Sequence, residues 1–215
     1  MLILDTLLAG RTTPFRGEEG SAIGKTPIPR AEVGVEGLIG DEQADRVHHG
    51  GADKALHHYP AEHYAHWRDR LGERADLAPG GFGENLSTTG MTEDTVLLGD
   101  RFRIGTTLIE VSHGRQPCWK LGHRFGHAAL AAEVVATGKC GWYYRVLEPG
   151  SVAAGDAIEQ VSEGLADWPV SRLFGVLIGG GHKRERAVLA ELAEMPVLAE
   201  AWRARARELM DGRKG

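Results

Sequence analysis

The sequence predicts a mainly β fold with helical additions, a closed or strongly bent barrel followed by a small three-helix C-terminal domain. Three observations carry this. Short apolar runs broken by glycine turns recur from residue 1 to about residue 162. Helical periodicity within that stretch is confined to two segments. After about residue 163 the strand signals end and three amphipathic segments follow. The expected division is therefore residues 1–162 and residues 163–215.

The elements follow in order. Residues 2–8 read as a first strand, because the apolar start lacks a basic flank and is too short to cross a bilayer. Further strands are expected at 96–98, 101–104, 107–112, 142–146 and 157–161. Gly99-Asp100 and Gly105-Thr106 separate neighbouring runs and suit tight hairpins. Glu148-Pro149-Gly150 and Ala154-Gly155-Asp156 are further turns. Pro60 suits the first position of a helix carrying Tyr64, Trp67 and Leu71 on one face, with Gly72 as its stop. A second helix is expected over 123–137, with Leu130 and Val134 inward and Gly138 as its stop. In the C-terminal part Ser171 caps a helix bearing Leu173, Phe174, Leu177 and Ile178, which Gly179-Gly180-Gly181 breaks. Val188, Leu192 and Met195 mark the next. Pro196 opens a third, with Leu198, Trp202 and Leu209 inward and Arg203 and Arg207 outward.

The chain of 215 residues is 42% apolar and 26% charged, which is globular. A net charge of −5 argues against nucleic-acid binding, which needs a basic face. The basic run from Arg203 to Lys214 is interleaved with Glu208 and Asp211 and reads as a solvated helix side. Two cysteines in different contexts and no export signal make the cytoplasm the expected location, with no membrane association.

Cys118 lies in Gly114-Arg115-Gln116-Pro117-Cys118-Trp119-Lys120-Leu121, just after a strand-like run. Arg115 and Lys120 are cations that favour a thiolate, the form that attacks or binds a metal. Cys140, in the turn Gly138-Lys139-Cys140-Gly141, reads as structural. The densest polar block runs from Gly37 to Tyr59 and holds His48, His49, His57 and His58 with Asp53 and Lys54 between them, a composition typical of a functional loop. A zinc site at His57, His63 and His66 is the rival reading, but its spacing matches no common zinc pattern. In Pro79-Gly80-Gly81-Phe82-Gly83-Glu84-Asn85 the glycines allow close backbone approach or an anion-binding nest. Glu84 and Asn85 add an acid and an amide suited to a heterocycle edge. Ser21-Ala22-Ile23-Gly24-Lys25 suits a phosphate through Lys25.

Together these blocks resemble the MOSC domain, the molybdenum-cofactor domain of sulfurases and amidoxime reductases, and within it the YiiM-type bacterial proteins. The resemblance rests on Ser21-Ala22-Ile23 with Lys25, Gly40-Asp41-Glu42-Gln43-Ala44, His49-Gly50-Gly51 with Asp53, His58-Tyr59-Pro60, Gly83-Glu84-Asn85-Leu86-Ser87, and Pro117-Cys118 with Lys120-Leu121. It implies a β-barrel cradling molybdopterin, with Cys118 as the protein ligand to molybdenum, a soft thiolate suiting that metal. Arg115 and Lys120 would steady the thiolate or meet the cofactor phosphate. His49, Asp53, Lys54, His58, Glu84 and Asn85 would line the pocket, with Lys54 where an arginine is expected. The implied reaction is molybdenum-dependent two-electron reduction of an N-hydroxylated compound, of the 6-hydroxylaminopurine type, with His58 or Glu84 as general acid. No flavin, haem or iron–sulfur motif occurs, so a separate flavin or iron–sulfur protein would donate electrons. The alternative from the same residues is a module carrying molybdopterin or sulfur without reducing anything.

Overall fold

The computed structural model describes residues 1–17, 19–43 and 50–212. In chain order the strands are β1 (Leu2–Ile3), β2 (Thr6–Ala9), β3 (Thr13–Arg16), β4 (Glu19–Ser21), β5 (Thr26–Pro27), β6 (Arg30–Gly34), β7 (Gly37–Leu38), β8 (Leu56–Pro60), β9 (Leu86–Thr88), β10 (Arg101–Ile104), β11 (Thr107–Gly114), β12 (Trp142–Glu148), β13 (Gly150–Ala153) and β14 (Ala157–Ser162). The α-helices are α1 (His63–Leu71), α2 (Trp119–Phe125), α3 (Leu130–Thr137), α4 (Val170–Leu177), α5 (Val188–Glu194) and α6 (Glu200–Met210).

Nine strands form one sheet in the order β1-β14-β10-β11-β12-β8-β9-β2-β5. All pairs are antiparallel except β8 with β9, which need the crossover through α1 that parallel strands require. The hairpin β10–β11 turns at Gly105, whose φ of 57° only glycine adopts without strain. Strand β11 lies near the middle and is buried along almost its whole length.

The expected closed barrel is not what forms. The hydrogen-bonded ladder has two ends, β1 and β5. It is nonetheless strongly curled. Strand β1 pairs with β14 near one end, and β2 pairs with β9 near the other. Only Leu4 and Asp5 separate β1 from β2, so Ile3 and Thr6 are at most about 11 Å apart, and the sheet must bend until its ends approach. The join is made by chain continuity, because Leu4 turns its backbone to Gly155 and Asp156. A three-stranded sheet, β13-β6-β7, and the hairpin β3–β4 stand apart from the main ladder.

Helix boundaries differ from the sequence expectation for local reasons. Pro60 ends β8, in register with Thr88, and α1 begins later. The single helix expected over 123–137 is two helices, because Gly126 at φ 65° caps the first and bonds back to Gly122 and His123. Residues 96–98 contribute one bridge, Leu97 to Pro169, and otherwise pack as core. Helix α4 starts at Val170 behind Pro169, so Ser171 is inside it, and α6 starts at Glu200.

The three C-terminal helices are present and seat on β11. A Cβ built on Gly114 would lie 3.2 Å from the Trp202 ring and 3.4 Å from that of Phe174. Their apolar residues join those of the sheet in one continuous core, so the helices are not set apart as a separate body. The arginines of α6 are balanced by neighbours. Arg203 and Arg207 both pair with Glu200, and Arg205 with Glu208.

Candidate active site

The 21–25 loop, residues 42–43, Lys54, β8, the glycine loop before β9, the turn between β11 and α2, and β12 meet at a pocket that opens to solvent. Lys25, Lys54, Arg115 and Lys120 line it, against one acidic wall residue among the described residues, Glu42. A cationic pocket on a chain of net charge −5 selects an anionic ligand.

Cys118 is on the wall, half-buried and not disulfide-bonded. Pro117 ends the approach from β11, and Cys118 has extended backbone, φ −123°, at the cap position of α2. Arg115 is buried. Its backbone N–H donates to the Gly141 carbonyl at 3.0 Å, but its Nη1 has no protein partner. An unpaired buried guanidinium nitrogen is costly, and an anion in the pocket would satisfy it. Cys140 lies under the site as a core thiol. It is fully buried, its Sγ donates to the Gly141 carbonyl at 3.1 Å, and burial pushes its pKa well up.

The adjacent histidines of β8 face opposite sides of the sheet, as the pleat requires. His58 faces the core. Its ring stacks on Trp142 at 4.4 Å, Nδ1 meets the Tyr144 hydroxyl at 3.0 Å, and Nε2 meets the Thr88 hydroxyl at 2.7 Å. Burial lowers its pKa to about 3. His58 therefore lies off the pocket wall with both nitrogens occupied, and the general-acid assignment to it does not hold. His57 faces the pocket instead. It is buried, and its Nε2 has no partner. Its pKa is held well below the ordinary value by burial first, then by Arg115 and Lys25, while a backbone hydrogen bond to Gly83 opposes the shift.

The glycine loop is an anion nest, but its anion is internal. The Glu84 carboxylate accepts from the Gly80 N–H at 2.7 Å, the Phe82 N–H at 3.1 Å and the Tyr64 hydroxyl at 2.6 Å. It is fully buried and off the pocket wall, with its pKa raised by burial. Glu84 thus organises the loop and is not placed to protonate a ligand. Asn85 is on the wall. Its Oδ1 accepts the His57 backbone N–H at 3.2 Å, and its Nδ2 donates to Leu8 and to Asp41 at 2.8 Å. Lys25 reaches the same Asp41 at 2.5 Å. Burial lowers the Lys25 pKa, and Asp41 opposes that shift. Asp41 also accepts from the Gly10 N–H at 2.7 Å. It ties these wall residues together, and the sequence reading named it only within the Gly40–Ala44 motif.

The remaining expected residues fall as follows. Lys54 and Lys120 line the pocket. Asp53 does not, because it is bonded to Arg145 at 2.8 Å. That arginine also holds Glu110 at 2.8 Å. His49 lies outside the described residues. Tyr143 is a further wall residue missed by sequence reading, with its ring 5.0 Å from His57. Its place opposite His57 in the β8–β12 register was the one signal that would have found it. The zinc alternative finds no support. His63 is bound to Glu93 at 2.7 Å, and among the described residues no three ligating side chains cluster.

Comparison with known proteins gives the family. The MOSC domain pattern matches residues 45–159. Protein YiiM of Escherichia coli strain K12 is 46% identical over 156 residues, 71% of this chain and 69% of that protein. A crystal structure of YiiM from Geobacillus stearothermophilus superposes with a TM-score of 0.81 at 30% identity, over 98% of this chain and 100% of that one. A protein named Reductase from Gibberella moniliformis is 36% identical over 163 residues, 75% of this chain but 28% of that longer protein. The described helices include none long and apolar enough to cross a membrane. With the pattern covering more than half of the chain and full-length likeness to YiiM structures, the protein belongs to the MOSC domain family, in its YiiM-type branch.

Proposed function

We propose that the protein binds a molybdenum cofactor in this pocket and reduces N-hydroxylated compounds of the 6-hydroxylaminopurine type. One observation carries the reading. A free cysteine and a buried arginine with an unpartnered Nη1 share one pocket, with three lysines on its walls. That donor set fits a phosphate-bearing, sulfur-ligated group. Cys118 offers the soft ligand. Arg115, Lys120 and Lys25 offer phosphate contacts, Arg115 with an unpartnered Nη1. Lys54 adds positive charge, and Asn85 and Asp41 hold Lys25 and β8 in place. When bound, the cofactor supplies a two-electron redox centre. The YiiM relatives and the fungal protein named Reductase support this class.

The chemistry balances as R–NH–OH + 2e⁻ + 2H⁺ → R–NH₂ + H₂O. The N–O bond breaks, and the departing oxygen needs a proton. We assign that role to His57, the histidine that lines the pocket and whose Nε2 has no partner. Its neutral form is favoured, by burial first and then by Arg115 and Lys25, and a bound anion would offset only the second part. Electrons come from a separate flavin or iron–sulfur protein. The test is molybdenum content and reduction of 6-hydroxylaminopurine with a chemical reductant, for the wild type and Cys118→Ser. The variant should fold but lose metal and turnover. Cys140→Ser should keep both. Molybdenum-loaded wild type that reduces no N-hydroxylated substrate would overturn the reductase reading in favour of a cofactor carrier.

A further inference from the structure

Trp119 follows Cys118 directly and opens α2. It is 44% exposed, and among the described residues it is the one exposed aromatic side chain, every other Trp, Tyr and Phe being buried or half-buried. An indole left in water forgoes a large burial gain. It is not left loose. The hairpin β3–β4 folds against it, with the Phe15 ring 6.1 Å from the indole and the Arg16 guanidinium 5.5 Å from the ring centroid. His123 ties the hairpin to α2, its Nε2 meeting the Phe15 carbonyl at 3.0 Å. The same hairpin ends at Ser21, which begins a stretch of pocket wall through Ile23. Cys118 and Lys120, on either side of Trp119, also line the pocket. An ordered, exposed indole with an exposed arginine over it thus lies between two wall residues in sequence, Cys118 and Lys120, without itself lining the pocket.

We propose that Trp119 and Arg16 form a stacking shelf for a planar nitrogen heterocycle, holding its ring at the rim while the N-hydroxyl group enters beside Cys118. The inference rests on the reductase reading and names what selects aromatic substrates at that site. An indole face and a guanidinium plane both stack on heteroaromatic rings, and neither favours an aliphatic group. Loss of one such stack weakens binding by about 5- to 150-fold.

The test compares wild type, Trp119→Ala, Trp119→Phe and Arg16→Ala with two substrates, 6-hydroxylaminopurine and the aliphatic acetamidoxime, under chemical reduction. Trp119→Ala should raise KM for the purine about tenfold or more, leave KM for acetamidoxime unchanged, and alter kcat little. Trp119→Phe should restore most of the purine affinity. A readout without turnover uses adenine as the probe. It should quench the intrinsic fluorescence of the wild type, and the quench should vanish in Trp119→Phe and weaken in Arg16→Ala. Equal KM changes for both substrates, or adenine quenching that survives in Trp119→Phe, would overturn the shelf. If the wild type reduces neither substrate, the reductase reading fails. The adenine titration then decides the shelf alone, and a quench that depends on Trp119 keeps it.

Discussion

His57 and His58 are neighbours in the chain and differ in every respect that matters for chemistry. His58 has two hydrogen-bond partners and a stacked indole, whereas His57 lines the pocket and its Nε2 has no partner. Substitution should separate them. His57→Gln should keep bound molybdenum and lower turnover by about 10²–10⁴-fold, the usual contribution of a positioned proton donor. His58→Gln should cost stability while turnover per folded, metal-loaded molecule stays within about twofold, since it abandons buried partners but touches no ligand. Metal analysis and single-substrate kinetics on both variants check this. Turnover lost on His58→Gln and kept on His57→Gln would reverse the assignment. Glu84 belongs with His58. The sequence placed an acid beside glycines, and only the fold revealed that those glycine N–H groups bind that acid.

Turns and helix ends decide how the site is assembled. Gly138 and Gly141 flank Cys140, and both have φ of 71°. Around Gly138 a Cβ would meet nothing within 4 Å. At Gly141 it would lie 2.3 Å from the His58 carbonyl and 3.0 Å from His57 Nε2. Gly141 is also clamped by hydrogen bonds, its N–H donating to Glu93 at 2.6 Å and its carbonyl accepting from Arg115. Gly138→Ala should therefore cost about 1 kcal/mol, the strain of a left-handed cap alone. Gly141→Ala should cost on the order of 3 kcal/mol or more and should also weaken cofactor retention, because it pushes on His57 and on the turn that holds Arg115. Urea unfolding gives the first quantity and molybdenum content the second. Equal destabilisation by the two substitutions would remove the packing argument.

For the whole molecule, the buried histidines set the response to acid. His57, His58 and His113 all have pKa values lowered by burial, His58 to about 3. Below the ordinary value near 6.5 the unfolded chain takes up protons that the folded chain refuses, so folding free energy is lost as pH falls from about 6.5 toward 3. Each such histidine costs about 1.4 kcal/mol per pH unit in that window. Denaturation midpoints should drop steeply between about pH 6.5 and about pH 5, and His58→Gln should flatten the slope by one proton. An unchanged slope would show that His58 binds its proton in the folded state too. Electron supply is also a property of the whole protein. NADPH alone should give no turnover, and NADPH with a flavoprotein reductase should restore it. Reversing Arg203 and Arg207 should change that coupling little, since both already pair with Glu200. A large loss on reversal would make that face the donor surface.

Several features are determined by the sequence alone. Strands and turns follow from apolar runs broken by glycine. The candidate cysteine is marked by its cationic neighbours, and the family is marked by short motifs in a set order. These are local properties, carried by a few adjacent positions. The tertiary structure decided the rest, because the deciding contacts join distant segments. Which histidine faces the pocket depends on the register of β8 against β12 and β9. That Asp53 serves Arg145 depends on a partner 92 residues away. That Glu84 fills its own nest depends on the loop folding back under Tyr64. Whether the sheet closes depends on where residues 2–9 find their two sets of partners. Composition and periodicity specify what a residue can do, and burial and distance specify which of those things it does.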